Sequence, residues 1–376
     1  MTLQEFSADA LKRKMEDAIM ENAGWISFAR YMDMALYEPG LGYYNNGGII
    51  LGRDGDFVTA PEISALFGQT LAHALVPLMA QSAPRILEIG AGSGKLAHDI
   101  LEELALLGIH PEHYDILDLS GNLRLRQQQM LTGFPQVRWL DRLPDTFTGV
   151  IIGNEALDAM PVQRVKKKNG RWHELGVSLS QGHLVSVERP AKAGLLEQIA
   201  WQIPDADELE EGYVTEVHTH ACAFIRSLAE VQKAGEGSAA IFIDYGYPAR
   251  EYYLPERNRG TLMSYYRHRS HSDPFLYPGS QDITAHVDFS ALARVAVENG
   301  LDVLCYASQA GFLLAGGITD RLLRLSPEDA VRYLPEARKA QMLLSPAEMG
   351  ELFKVLVFGN LDLPAQLAAI NRSDRL

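Results

Sequence analysis

One short segment limits the fold of this chain more than any other: an apolar strand that runs directly into a loop with three glycines. Residues 86–89 read Ile-Leu-Glu-Ile, and Gly90, Gly92 and Gly94 follow at alternate positions. Residues 95–107 then carry leucine and isoleucine at helical spacing. A strand, a tight glycine turn and a helix in this order predict a βαβ unit in a parallel sheet. The free N–H groups at the start of the helix would be available to a ligand.

The same alternation continues along the chain, and it predicts a doubly wound α/β sheet. Further buried strands are expected at 114–118, 137–139, 150–153 and 239–244, and helices at 95–107 and 123–131 separate the first three strands of the sheet. Residues 162–203 break this rhythm with alternating apolar and polar side chains, which favours an inserted layer of antiparallel hairpins. Before the core we expect helices over 7–23 and 61–79 and, between them, a long aromatic loop from residue 37 to 59.

Composition excludes several classes of protein. The formal net charge is -14 in 376 residues, so a nucleic acid is not an expected partner. The one dense basic run, 166–168, is interpreted as the solvated edge of a hairpin. Cys222 and Cys305 are far apart, which gives neither a disulfide framework nor zinc spacing and fits a reducing cytosol. The sequence contains no apolar run long enough to span a bilayer and no recognisable targeting peptide, so we expect a cytoplasmic protein.

The glycine spacing separates two kinds of cofactor. A dinucleotide loop has its third glycine at the place occupied here by Lys95. The observed G-x-G-x-G, with Glu88 two residues before the first glycine, resembles the S-adenosylmethionine loop instead. Asp118, at the end of the second strand, is placed to accept the ribose hydroxyls of that cofactor. An ordinary glycine turn is the alternative interpretation of the loop alone.

A second polar motif follows the fourth strand of the predicted sheet. Asn154 and Glu155 come directly after this strand, where ligands bind in open α/β sheets. Asp158 is three residues further on, so the two carboxylates could point the same way and hold a cationic acceptor. A helix start with two stray acids is an equally simple explanation of these residues.

Seven stretches together resemble the MidA-like methyltransferases, a family that includes the mitochondrial complex I assembly factor that methylates arginine in a complex I subunit. The resemblance covers about residues 20–360. The stretches are Gly42–Tyr44, Gly55–Ser64 with Phe67–Gly68, Glu88–Gly94, Asn154–Val162, Asp244–Gly246, Pro278–Phe289 and Gln309–Leu313.

The resemblance implies a Rossmann-like class I methyltransferase fold, S-adenosylmethionine as cofactor and a protein arginine as acceptor. No metal is expected. Glu155 and Asp158 are the first candidates for catalysis, and Glu62 and His286 are the second, although His286 can also be a buried histidine at a helix start. The residues expected to bind the cofactor are Glu88, Gly90, Gly92, Gly94, Asp118, Leu119, Ser120 and Asn154. The family usually has Glu where this chain has Asp118, which leaves the affinity for the cofactor open.

Six consecutive regions follow from the pattern and the resemblance together. They are an N-terminal helical and aromatic segment that covers the active site (1–80), the first half of the core (81–161), an inserted β layer (162–206), a return to the core (207–245), an insert on the acceptor side (246–285), and the end of the core with a C-terminal tail (286–376).

Two other functions stay open at this point. The chain could methylate a small molecule, or it could be an assembly chaperone that binds the cofactor without catalysis. The intact glycine loop and the Asn154–Glu155 pair argue against the chaperone. The expected partner is a protein substrate, of the kind found in respiratory complexes if the family resemblance holds. The aromatic residues of the insert on the acceptor side, 246–285, would serve either to bind that substrate or to form a homodimer interface.

Overall fold

The computed structural model describes residues 3–47 and 59–376 of the chain. The helices are α1 (Leu3–Glu21), α2 (Phe28–Tyr37), α3 (Ala60–Ile63), α4 (Ala65–Met79), α5 (Lys95–Leu106), α6 (Gly121–Met130), α7 (Ala193–Gln202), α8 (Thr219–Lys233), α9 (Ala249–Tyr252), α10 (Phe289–Glu298), α11 (Gln309–Ala315), α12 (Ile318–Leu322), α13 (Ala330–Leu344) and α14 (Ala365–Ala368), with a 3₁₀ turn at Ser373–Arg375.

The strands are β1 (Ile26–Ser27), β2 (Arg85–Ile89), β3 (His113–Leu117), β4 (Val137–Leu140), β5 (Gly149–Asn154), β6 (Gln163–Lys168), β7 (Arg171–Ser180), β8 (His183–Pro190), β9 (Val214–Val217), β10 (Ser238–Tyr247), β11 (Met263–Tyr266), β12 (Arg269–His271), β13 (Asp282–Thr284), β14 (Val287–Asp288), β15 (Asp302–Ser308) and β16 (Phe353–Gly359). Two compact units share these elements. The first unit comprises Met1–Phe57, Leu157–Phe224 and Tyr247–Ala291, and the second unit comprises Val58–Ala156, Ile225–Gly246 and Leu292–Leu376.

The second unit is built on a largely parallel sheet whose strands lie in the order β15-β16-β10-β5-β2-β3-β4. The five strands from β10 to β4 are parallel to their neighbours, and β16 is antiparallel to both β10 and β15. Chain order reverses its direction across the sheet between β2 and β5, since β3 and β4 lie on one side and β10 on the other. The carboxyl ends of β2 and β5 therefore form a topological switch point, where open α/β sheets bind ligands.

Apolar periodicity explains the packing of this unit. Ile86 and Ile152 on the sheet and Leu96, Ile100 and Leu104 on α5 are all buried in one core cluster. The three α5 residues recur every four positions, so they form one face of the helix. The predicted mixed α/β fold with a mainly parallel central sheet is confirmed.

The first unit contains antiparallel sheets. Its larger sheet runs β1-β7-β6-β9, with β8 paired to β7, and every pairing in it is antiparallel. A smaller sheet has the order β12-β11-β13. Leu11 and Met15 of α1 and Phe28 and Tyr31 of α2 lie in the core cluster of this unit. The hairpins predicted from the alternation at 162–203 are present as β6, β7 and β8, and β1 and β9 extend their sheet. The end of this range was predicted wrongly, because residues 193–202 form the helix α7.

The helix predicted over 61–79 is interrupted at one residue. Ser64 has extended backbone angles, φ -155° and ψ 140°, so α3 ends before it and α4 begins after it. Its hydroxyl accepts a hydrogen bond from the N–H of Leu66 at 3.2 Å, which is the usual role of a serine that caps a helix. The prediction of one continuous helix was wrong because apolar spacing continues across the cap.

The basic run 166–168 is only partly a solvated edge. Lys166 and Lys168 are partly exposed and pair with Glu188. Lys167 is buried, and its ammonium donates to the carbonyl oxygens of Ala206 and Asp207. In β6 the side chains alternate between the two faces, so Lys167 points to the opposite face from its neighbours. Among the described residues, no helix combines the length and the apolar character needed to cross a membrane.

Candidate functional site

The glycine loop joins β2 to α5 at the switch point of the sheet. Gly90, Gly92 and Gly94 have φ angles of +69°, +53° and +87°, a region that disfavours residues with a side chain. A Cβ atom at Gly94 would lie 3.2 Å from Cα of Gln127, which is closer than side chains normally approach backbone. The loop therefore needs glycine both for its turns and for its close approach to α6.

Glu88 lies near the end of β2, just before this loop, and is a buried acid with an unusual charge state. It is 1% exposed, and its carboxyl accepts a hydrogen bond from the Tyr114 hydroxyl at 2.8 Å. Burial is the main cause that raises the pKa of Glu88 to about 8; the Tyr114 hydrogen bond acts in the opposite direction, and the charge of the nearby Asp118 acts in the same direction as burial. At neutral pH this carboxyl is therefore mostly protonated.

Asp118 follows β3 and is bonded to three protein donors. Its carboxylate accepts from the N–H of Ser120 at 2.9 Å, from Nε2 of Gln127 at 2.8 Å and from the N–H of Gly92. Burial raises the pKa of Asp118, and these three hydrogen bonds lower it. A carboxylate has about four acceptor positions, so about one is left for a ligand. The sequence suggested that Asp118 accepts both ribose hydroxyls; these bonds leave room for one unless a protein donor moves.

The two residues after Asp118 differ in their exposure to solvent. Ser120 is buried, and its hydroxyl accepts from the N–H of Leu123 at 3.1 Å, which caps α6. Leu119 is 72% exposed, although leucine is apolar. An exposed apolar side chain beside Asp118 can be covered by a flat apolar ligand group, so its role in cofactor binding stays a prediction.

Asn154 ends β5, at the other side of the switch point. Its Nδ2 donates to Oε1 of Glu155 at 3.0 Å. Its Oδ1 is buried and has no hydrogen-bond partner within the described part of the chain. Because a buried polar atom without a partner is costly, this oxygen is suited to accept a hydrogen bond from a bound ligand. An ammonium group such as that of S-adenosylmethionine is a donor of this kind, and the residues present fit this cofactor.

Glu155 has a strained backbone and a well-held side chain. Its φ angle is +50°, which is uncommon for a residue other than glycine. Its N–H donates to the carbonyl oxygen of Ile243 at 2.8 Å, and its Oε1 accepts from the N–H of Ala60 at 3.2 Å. The carboxylate therefore lies at the start of α3 and beside Asn154.

Glu62 is a further acid at this edge of the sheet. It is carried by α3, and its Oε1 accepts from the hydroxyl of Ser93 in the glycine loop at 2.5 Å. Because Glu155 bonds to Ala60 in the same short helix, α3 connects both acids to the loop. The second unit thus brings together all of the predicted cofactor residues and two of the four predicted catalytic residues.

Asp158 and His286 belong to the first unit. Asp158 is 7% exposed, and its carbonyl oxygen accepts from the N–H of Ala285 at 3.0 Å, so the chain at His286 passes next to it. The imidazole of His286 packs edge-on against Tyr247 with ring centres 5.2 Å apart. Burial, assisted by the charge of Arg257, lowers the pKa of His286 to about 4. This histidine is therefore neutral at physiological pH.

The sequence did not single out Gln127, whose side chain is hydrogen-bonded to two of the predicted cofactor residues, Gly92 and Asp118. It is completely buried on α6 between Leu123 and Leu131, which are four residues before and after it. Its Nε2 donates to the carbonyl oxygen of Gly92 at 3.0 Å as well as to Asp118. A long polar residue at an apolar position of a helix face was the available signal.

One group of side chains in the described chain has the spacing of metal ligands, and it lies outside this site. His98, Asp99 and Glu102 on α5 have ligand atoms within 4.8 Å of one another. The ammonium of Lys95 already pairs with Asp99. A neutralised carboxylate and an exposed glutamate give no argument for a metal ion here.

Comparison with known proteins agrees with this geometry. A family described as S-adenosyl-L-methionine-dependent methyltransferases matches residues 70–307. The chain is 29% identical to the mitochondrial protein arginine methyltransferase NDUFAF7 of Danio rerio, over 93% of this chain and 87% of that protein. It is 30% identical to NDUFAF7 of Rattus norvegicus, over 89% of this chain and 81% of that protein.

A solved structure is similar over the whole chain. It is the crystal structure of a Burkholderia thailandensis protein bound to S-adenosyl-homocysteine, with a TM-score of 0.92 and 47% identity. The match covers 99% of this chain and 98% of that chain. Its ligand is the product that S-adenosylmethionine leaves after methyl transfer, in agreement with the cofactor expected from the glycine loop. The chain therefore belongs to this family of S-adenosylmethionine-dependent methyltransferases.

Proposed function

We propose that this methyltransferase transfers the methyl group of S-adenosylmethionine to an arginine side chain of a protein. The observation that carries the proposal is the position of Glu155, whose carboxylate is held by Ala60 and Asn154 at the carboxyl edge of the sheet despite a strained backbone. Glu62, on the same short helix as Ala60, adds a second carboxyl group beside the glycine loop. Two acids at such an edge suit a cationic acceptor.

A guanidinium needs this kind of help because it is always protonated at neutral pH and is a weak nucleophile. The bound cofactor supplies the methyl group: the acceptor nitrogen forms the new N–C bond as the C–S bond breaks, sulfur takes the electron pair, and the nitrogen then releases a proton. Glu155 would hold two N–H groups of the guanidinium and concentrate its charge away from the reacting nitrogen. Asp158 remains a predicted positioning residue for the acceptor, and the released proton can pass to solvent, because the low pKa of His286, about 4, makes that histidine a poor proton acceptor.

The acceptor class also has support from the relatives. Those from Danio rerio and Rattus norvegicus are both named protein arginine methyltransferases, at 29% and 30% identity. The family resemblance makes a respiratory-complex subunit the first acceptor to test. Cys222 and Cys305 are both buried and form no disulfide bond within the described chain, which fits the further proposal that the enzyme works in the reducing cytosol.

The experiment uses the purified full-length enzyme, radiolabelled S-adenosylmethionine and a lysate of a strain that lacks the enzyme. We expect one labelled protein band, with the label on arginine by mass spectrometry. A Gly92→Val variant is the control, because a branched side chain in the left-handed region should abolish cofactor binding.

Each other outcome overturns the arginine proposal in a distinct way. Label found only in small molecules would identify a small-molecule methyltransferase. Cofactor binding in a calorimeter without transfer to any acceptor would identify a cofactor-binding chaperone. If a labelled arginine is found, its replacement by lysine should remove most of the turnover, because lysine lacks the planar fork of donors.

A further inference from the structure

Gln127 connects three strands of the parallel sheet through one side-chain amide. Its Nε2 donates to the carbonyl oxygen of Gly92, after β2, at 3.0 Å, and to Oδ2 of Asp118, after β3, at 2.8 Å. Its Oε1 accepts from the indole N–H of Trp139, on β4, at 3.0 Å. Both amide hydrogens and the amide oxygen therefore have partners, and the side chain is completely buried.

The chemistry of the partners permits only one orientation of this amide. An indole N–H can only donate, so it must face the oxygen of Gln127. A peptide carbonyl can only accept, so the oxygen of Gly92 must face the nitrogen. The nitrogen then has one hydrogen left, and it is directed to the carboxylate of Asp118. Trp139 thus determines which end of the amide faces the glycine loop.

We propose that Gln127 is a positioning residue of the cofactor site: together with Trp139 it fixes the glycine loop and Asp118 in their binding geometry before S-adenosylmethionine arrives. The proposal rests on the family's cofactor and is independent of the arginine acceptor. Gln127 also helps to fill the acceptor positions of Asp118, so that the carboxylate keeps about one for a ribose hydroxyl. A site that is ordered in advance loses less entropy on binding.

The test measures binding of S-adenosyl-homocysteine by calorimetry in two variants of Gln127. Gln127→Met keeps the length and removes the hydrogen bonds, and we expect about 10-fold weaker binding or more. Gln127→Glu keeps the shape but places a second carboxyl group against Asp118 and the carbonyl of Gly92, so we expect a larger loss, about 50-fold at pH 8.

The pH dependence separates positioning from a general loss of stability. At pH 6 the introduced carboxyl and Asp118 can share a proton, because two adjacent acids do not ionise together. The ratio of the Gln127→Glu and wild-type dissociation constants should therefore fall by at least about fivefold between pH 8 and pH 6. Gln128→Met and Gln128→Glu are matched controls, since Gln128 is the next residue of α6 and is exposed. They should bind as the wild type does at both pH values.

A double-mutant cycle and a milder variant keep the proposal testable if Gln127 variants fold poorly. In an Asp118→Asn background, Gln127→Met should add clearly less than its effect alone, because both act on the same contact. Trp139→Phe keeps a ring and removes the N–H that orients the amide, and we expect about threefold weaker binding or more. Folded Gln127→Met or Trp139→Phe protein with wild-type affinity, or full additivity with Asp118→Asn, would overturn the positioning role. Loss of methyl transfer with normal cofactor binding would count against it too, and would instead concern the acceptor.

Discussion

The second unit contains two buried glutamates that differ in charge. Glu88 lies beside the glycine loop, and Glu103 lies on α5 in an outer cluster with Arg324 and His73. Glu88 and Glu103 are both 1% exposed. Glu88 accepts from one tyrosine hydroxyl, and burial raises its pKa to about 8. Glu103 accepts from both terminal nitrogens of Arg324 at 2.7 and 2.6 Å and lies 2.7 Å from Nε2 of His73. Its hydrogen bonds, with Arg324 first, lower its pKa.

The difference shows that burial raises the pKa of an acid in this protein unless cationic partners offset the effect, as Arg324 does for Glu103. The outer cluster contains its own cation, Arg324, and needs nothing more. Near the glycine loop, Glu88 and Asp118 are bonded by a phenol, an amide and backbone N–H groups, none of which carries a charge. Among the described residues, no basic side chain therefore neutralises the carboxylate of Asp118 before the cofactor binds, whereas Glu88 is already neutral because it is protonated.

The largest effect is expected at Glu155, another acid of this region. Glu155→Gln preserves shape and removes charge, so methyl transfer should fall by about 100-fold or more, while cofactor affinity changes by only a few fold. Single-turnover kinetics and calorimetry measure the two quantities separately. Asp158→Asn should give a smaller decrease if Asp158 only orients the acceptor. Full turnover in Glu155→Gln would disprove the carboxylate clamp and move the catalytic role to Glu62 and His286.

A smaller effect, on stability alone, is expected at the outer cluster. Glu103→Gln should lower the free energy of unfolding by about 1–2 kcal/mol at pH 7, a range reduced for the screening of half-exposed Arg324. Because the folded pKa of Glu103 is below the unfolded value, this contribution is present above the unfolded pKa and is lost as pH falls through the folded pKa. Denaturant unfolding from pH 7 to pH 3 tests this sign. Glu102→Gln, exposed on the same helix, is the control.

The opposite pH dependence is expected for Glu88. Its folded pKa, about 8, is above the ordinary value of 4.5, so its contribution is present below pH 4.5 and is lost as pH rises towards 8. Each pH unit in this window should remove at most about 1.4 kcal/mol of stability from the wild type relative to Glu88→Gln. A wild-type and variant pair with parallel pH–stability curves would show that Glu88 is ionised and would remove the contrast with Glu103.

The smallest effect concerns an exposed apolar residue in the glycine-loop region. If the cofactor covers Leu119, Leu119→Ala should weaken S-adenosyl-homocysteine binding by about fivefold, or 1 kcal/mol, and should leave the melting temperature unchanged. Leu125→Ala, which is similarly exposed on α6, is the control and should change neither quantity. Equal affinities for the two variants would exclude the side chain of Leu119 from the cofactor site.

The sheet and the cofactor loop could be predicted from sequence because local rules determine them. The glycines at 90, 92 and 94 need positive φ angles, and the apolar strands around them need burial, so pattern and structure agree. The contacts of Gln127 could not be predicted in this way. They join residues 35 and 12 positions away in the chain, and no periodicity encodes which buried glutamine meets which carbonyl.

The other differences between the predictions and the structure arise either from local backbone features or from contacts between residues far apart in the chain. The break at Ser64 was missed because a cap can look like any serine inside an apolar pattern. Residues 55–58 of the motif at 55–64 lie outside the described part of the chain. The prediction that the N-terminal region 1–80 covers the active site therefore stays a prediction. The carboxyl residues of the candidate site were found by motif alone, but only the structure relates Glu62 and Glu155 to one short helix.

The buried amine of Lys167 provides a chemical reporter for one half of the molecule. Lys167 is 6% exposed, and its ammonium donates to two carbonyl oxygens. It should therefore resist acylating reagents as long as the first unit is folded. Its neighbours Lys166 and Lys168, 35% and 45% exposed, supply the reference for reagent access in the same peptide. Mass spectrometry of this single tryptic region would therefore time the opening of the antiparallel unit, and a comparison with loss of cofactor binding would reveal whether both units unfold in one step.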